Sequence, residues 1–145
     1  MERKEKAAQM FNTSHNCAQS VLTSFNDKTG LTEDLSCRIS CAFGAGGGRR
    51  QYQCGAVSGA LLAISAVHGR GLHDDSSVQD KTYSLTRDFL ARFEEKHGTL
   101  ECRKLLDGAD LMSAEGQERF KSENMKKDRC TIFVTDAVEI LEGII

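Results

Sequence analysis

The 145-residue chain has no proline, only 6% aromatic residues, and no surplus of either charge, with 19 lysines and arginines against 21 aspartates and glutamates. Each shortage excludes something. Without proline, no φ is pinned and no helix is broken from within. With few aromatics and little period-two alternation, there is little from which to build a sheet. A formal charge of -2 with both signs scattered offers no basic stripe for nucleic acid and no polybasic face for an anionic membrane, so neither partner is expected. The longest apolar run, Ala60 to Val67, falls far short of the ~20 residues that a spanning helix needs, so no membrane insertion is expected. The charged start Met1-Glu2-Arg3-Lys4-Glu5-Lys6 leads into no apolar signal core, which points to a soluble, cytoplasmic protein in a reducing compartment.

What the chain does have is helical periodicity. Apolar residues recur every three or four positions and predict helices over 3–11, 16–27, 32–43, 52–68 and 76–97. Thr99 would cap a sixth, and a last helix spans 130–142. The inward stripes are Ala18, Val21, Leu22 and Phe25; Leu35, Ile39, Ala42 and Phe43; Leu85, Phe89, Leu90 and Phe93; and Phe133, Val134, Ala137 and Leu141. Gly30, Gly69 and Gly98 supply stops. The polar stretch 107–129 reads as a loop with a short helix near 114–123 and little core. No repeat or linker divides the chain, so residues 1–145 are expected to form one all-α, single-domain helical bundle of about six to seven helices.

The other positive feature is six cysteines. In a reducing cytoplasm such a number argues for metal ligation or redox chemistry more than for disulfide scaffolding. Cys17, Cys54, Cys102 and Cys130 each fall at the first turn of a separate predicted helix, where unpaired N–H groups and the dipole favour a thiolate over a thiol. Their apolar neighbours three and four residues on should turn them inward, toward one shared sulfur site. Cys37 and Cys41 lie four apart on the face opposite Leu35 and Ile39 and form a separate pair, expected to be dispensable. The spacing of the four is unlike a zinc-finger or ferredoxin run, so any metal centre would be assembled from distant helices. Any one of the cysteines could equally be a packed small hydrophobe.

Gly44-Ala45-Gly46-Gly47-Gly48 lacks the Lys-Ser or Lys-Thr of a P-loop and follows no strand, so nucleotide binding is poorly supported. A better reading is that Gly44, Gly46, Gly47 and Gly48, with Gly55, let the backbone pass close to the thiols and leave N–H groups for a sulfur or a bound cofactor. His15 could sit near the Cys17 thiolate. His68 and His97 precede helix-ending glycines and read as structural, and His73-Asp74-Asp75 as solvated loop.

The segment Gln53-Cys54-Gly55-Ala56-Val57-Ser58-Gly59-Ala60 resembles the central signature of the C_GCAxxG_C_C family of redox-active proteins. Asn16-Cys17-Ala18-Gln19-Ser20, His97 through Leu106, and Cys130 with Asp136 to Leu141 resemble its other cysteine segments in the same order. The likeness runs from Ala7 to Leu141. One departure is Gln53, which stands where the motif has glycine. The resemblance implies family cysteines at Cys17, Cys54, Cys102 and Cys130 and redox activity often found in anaerobes, and it leaves out Cys37 and Cys41. A related region occurs in split-Soret cytochromes, but this chain has no Cys-x-x-Cys-His of its own for haem.

Two redox functions follow. The four thiolates could ligate an iron–sulfur cluster in an electron carrier or redox sensor, or Cys54 could attack a disulfide as a thiol–disulfide oxidoreductase with another family cysteine resolving it. The expected partner is a redox protein or a small thiol or disulfide, with a homodimer also open. The alternative class is a helical binding module whose cysteines hold a structural zinc or simply pack.

Overall fold

In a computed structural model describing residues 1–145, the periodicity becomes nine α-helices: α1 (Arg3–Thr13), α2 (Cys17–Thr23), α3 (Asn26–Thr29), α4 (Glu33–Ser40), α5 (Gly55–His68), α6 (Ser76–His97), α7 (Cys102–Leu105), α8 (Ala114–Ser122) and α9 (Thr131–Glu142). A 3-10 segment (Cys41–Gly46) continues α4, and a π turn (Lys126–Cys130) leads into α9. The only β pairing is one antiparallel bridge between Gln53 and Glu101. No helix is long and apolar enough to cross a membrane.

The all-α architecture follows from the sequence; the larger helix count comes from breaks that periodicity does not register. The expected helix over 16–27 ends at Thr23, because Phe25 leaves the helical region at φ -108, ψ 17, and a short α3 closes at Gly30 with φ +74. The expected helix from residue 52 starts at Gly55, since residues 51–54 are taken up in backbone pairing with 100–103. The Cys54 N–H donates to Leu100 O at 2.8 Å, and the Cys102 N–H to Tyr52 O at 2.6 Å.

The core gathers around α5, which buries Ala56, Val57, Ala60, Ala63 and Ile64. Its small residues let α2 approach closely: a Cβ on Gly59 would stand 2.5 Å from Ala18 O. Val21 and Leu22 of α2, Phe89 and Phe93 of α6, and Val134, Val138 and Leu141 of α9 complete one apolar cluster. Each such buried side chain contributes roughly 1.5–3 kcal/mol. α1 lies along α9, with Lys4 Nζ 3.0 Å from Glu139 Oε1.

One stripe is reversed. Leu35, Ile39 and Phe43, expected inside, are 44%, 42% and 41% exposed, and Ala42 is exposed too. The buried residues of α4 are Ser36 and Ser40. The face that α4 meets is polar: Ser20 and Thr23 of α2 are buried there, Ser36 Oγ donates to Asn26 Oδ1 at 2.6 Å, and Gln19 Nε2 to Cys37 O at 3.1 Å. Hydrogen bonding and small size, rather than hydrophobicity, choose the inner face. Cys37 is accordingly half-buried with its sulfur 3.8 Å from Thr23 Oγ1, while Cys41 is exposed.

Candidate functional site

Cys17 is the first residue of α2, fixed by a reciprocal cap in which the Gln19 N–H donates to Asn16 Oδ1 and the Asn16 N–H to Gln19 Oε1, both at 2.9 Å. Cys54 is the N-cap of α5, and Cys102 opens α7. The Gln53–Glu101 bridge sets their relation: period two turns Gln53 and Glu101 to one side of the paired segments and Cys54 and Cys102 to the other, as diagonal neighbours. Cys130 departs from expectation. The backbone is helical before, at and after it, so it stands inside a continuous helical run rather than at an open helix start.

These four cysteines, brought by four separate segments, line one cavity of about 560 Å³. Cys37 and Cys41 do not reach it. Phe11, Leu105, Leu106 and Phe133 wall it together with Leu111 and Phe120, and no aspartate or glutamate is among its lining residues. All six cysteines are free thiols, with Cys54 and Cys102 buried and Cys17 and Cys130 half-buried.

Burial outweighs the helix starts. It pushes the Cys17 thiol up, although the backbone N–H groups of Ala45, Ala18 and Gly55 bond to its sulfur and pull the other way. Cys54 is raised well above the ordinary thiol range by burial and by the neighbouring Cys17, against the N–H groups of Ala56 and Val57. Burial, then Cys17, carries Cys102 to about 12, with the Gln51 side chain and Arg103 opposing. Cys130 reaches about 12 through burial and the charges of Cys17 and Cys102. Without a ligand the site therefore holds protonated thiols, contrary to the expectation that the helix starts alone yield thiolates. Cys17 acts on all three of the others, so the four form one electrostatic unit.

The glycines divide. Gly55 lines the cavity, and a Cβ there would collide with Cys17 Sγ. Gly44 backs onto Asn16 and Gly46 onto the backbone of Gln51, while Gly47 and Gly48 stand clear of the cavity and only turn the chain, at φ +93 and +58. The loop residue that does reach in is Ala45, through its N–H, and Arg49 follows it to the mouth. His15 lines the cavity and bonds Ser14 through Nδ1 at 2.7 Å. His97 lies outside it, held by Asp136 at 2.8 Å between the rings of Phe93 and Phe133.

Two contributors were not visible in the sequence. Gln51, 2% exposed, donates to Ala109 O at 2.7 Å and accepts from the Leu111 N–H at 2.8 Å, pinning the polar segment against the site. That segment supplies Leu111, Gln117, Phe120, Lys121 and Lys126 to the cavity, so it is a wall rather than idle loop. Leu111, Phe120 and Met125, spaced along an otherwise polar stretch, were its main signal.

No three His, Cys, Asp or Glu side chains lie close enough together to hold a single metal ion. The four thiols share one cavity without being gathered on a single point. The family model described as "Putative redox-active protein (C_GCAxxG_C_C)" matches residues 15–144. No curated protein and no solved structure matches.

Proposed function

From the premise that the chain belongs to the C_GCAxxG_C_C family, we propose that it is an electron-transfer protein in which Cys17, Cys54, Cys102 and Cys130 ligate an iron–sulfur cluster. The observation that carries this reading is the convergence of four thiols from four segments on one carboxylate-free cavity. Thiolates are the ligands such clusters take, and the absence of carboxylates suits a soft metal site. When bound, the cluster would supply a one-electron couple.

The protein's own groups serve that centre in three ways. The N–H groups of Ala45, Ala18 and Gly55 at Cys17, and of Ala56 and Val57 at Cys54, are positioned to offset anionic sulfur and so to raise a reduction potential. The Gln51 side chain does the same for Cys102. Phe11, Leu105 and Phe133 give the cavity an apolar lining beside the sulfurs. Because the ligand-free thiols are protonated, loading must release protons, and binding should strengthen as pH rises.

Thiol–disulfide exchange beginning at Cys54 is the weaker reading, since an attacking thiol must ionise and burial opposes that. A single structural zinc is weaker too, because the donors are not gathered for one ion.

The test is purification without oxygen, followed by visible spectroscopy and iron and sulfide analysis. The expected result is broad visible absorbance with iron and sulfide, lost on serine substitution of any one of the four and retained in Cys37→Ser/Cys41→Ser. A protein that stays colourless and refuses iron and sulfide on anaerobic reconstitution overturns the proposal.

A further inference from the structure

The thiol cavity has a floor and a mouth of different chemistry. Cys54 and Cys102 lie buried at the floor, whereas Arg49, Lys121 and Lys126 stand exposed at the lining's outer edge. None of these three cations has a carboxylate within ion-pair distance, a state shared with other surface cations such as Lys127 and Arg129, but these three are grouped on one cavity. The Lys126 ammonium rests instead 5.2 Å from the Phe11 ring centroid. Three unpaired positive groups around an opening with no acidic lining residue, on a chain of net charge -2, make a local field that selects anions.

The size and walls narrow the anion further. The whole cavity is about 560 Å³, within the ~300–1,000 Å³ typical of small-molecule sites, so the part outside the sulfur floor has room for a small ligand only. The lining includes the apolar side chains of Phe11, Leu111 and Phe120 beside the polar Gln117, and Lys126 rests over the Phe11 ring. Lys126 acts on the Cys130 sulfur, but neither Arg49 nor Lys121 is among the leading influences on any of the four thiols, so those two are better matched to something at the mouth.

We propose that the outer half of this cavity binds a small organic anion, an aryl or alkyl carboxylate, with its carboxylate between Lys121, Lys126 and Arg49 and its apolar body against Phe11, Leu111 and Phe120. Binding stands apart from the redox reading and does not rest on it. Recognition combines a desolvated carbon skeleton with a screened ionic contact, so affinity falls with salt and with loss of the charge on either side.

The experiment is calorimetric titration of the protein, purified without oxygen, with 4-phenylbutyrate, and with 4-phenylbutan-1-ol as its uncharged counterpart. Iron and sulfide are assayed on the same sample. The expected result is one site that takes the acid about tenfold more tightly than the alcohol, with Lys121→Gln/Lys126→Gln abolishing the difference. Lys127→Gln, which alters the adjacent residue outside the cavity, should leave it intact. Equal affinity for acid and alcohol, no binding of the acid, or unchanged binding in the double variant overturns the proposal. An iron-refusing protein that binds the acid overturns the redox reading alone, and an iron-loaded protein that ignores the acid overturns this one alone.

Discussion

The sulfur of Cys17 occupies the space that a Cβ on Gly55 would need. The two residues are the first of α2 and the first of α5, so the contact joins both helix starts to the same sulfur. Gly55→Ala gains up to about 1 kcal/mol of helix propensity but collides with that sulfur and, at 2.9 Å, with the Phe43 carbonyl. Overpacking of this kind costs about 1–3 kcal/mol. The expected outcome is a lowered melting temperature and loss of iron loading. Gly143→Ala, where φ is -80 and nothing is nearer than 3.5 Å, should change stability by less than about 0.5 kcal/mol.

The buried thiols make the ligand-free protein sensitive to alkali. Cys102 and Cys130 lie at about 12 in the folded state, above the ~8.5 of an unfolded thiol, so the folded protein keeps protons that the unfolded chain gives up. Their contribution is intact below about pH 8.5 and declines as pH rises toward 12, by about 1.4 kcal/mol per pH unit for each thiol. Denaturant titrations of reduced, iron-free protein between about pH 8 and 10.5 should show that decline, with a shallower slope in Cys102→Ala/Cys130→Ala. Parallel slopes would contradict the assignment of burial as the cause.

Alkylation should rank the cysteines by access. Cys41 is exposed, Cys37, Cys17 and Cys130 are half-buried, and Cys54 and Cys102 are buried. Iodoacetamide labelling of native protein, read by mass spectrometry, is expected to modify Cys41 first and Cys54 and Cys102 last. Early labelling of Cys54 would revive the thiol-exchange reading.

Gln51 fastens the polar segment with both ends of its amide. Gln51→Ala leaves Ala109 O and the Leu111 N–H without those partners, a loss of about 1–3 kcal/mol for each buried group left unpaired. Faster hydrogen exchange at the Leu111 amide, with α5 and α9 unchanged, is the expected result.

The helices, most of their apolar faces and the inward placement of Cys17, Cys54, Cys102 and Cys130 were readable because each rests on local information: a period, a cap, a stop. The orientation of α4 was not, because it depends on what faces it. Ser36 and Ser40 turn inward to meet Asn26 and the buried serine and threonine of α2, a tertiary match that a hydrophobicity pattern cannot encode. The site was legible as a set of sulfurs and illegible as a cavity. The bridge that aligns Cys54 with Cys102 joins residues about fifty apart, the wall supplied by Leu111, Phe120 and Lys121 comes from farther along the chain, and neither carries a mutual signature. The ionisation state was misread for a related reason. A helix start is visible in sequence, whereas the depth of burial that overrides it belongs to the assembled fold.

The pairing of α1 with α9 imposes an order on events in the cell. Cys17, Cys54 and Cys102 leave the ribosome well before Cys130, and α9, the helix that carries Phe133 into the cavity wall and lies along α1, follows later still. Chains emerge at about 5–20 residues per second, so for several seconds three of the thiols exist beside an incomplete core and without their fourth member. During that interval they are accessible to oxygen, stray copper or zinc, and wrong partners. The nascent chain, before α9 is complete, is therefore the stage at which these thiols are most exposed to oxidation and to stray metal ions.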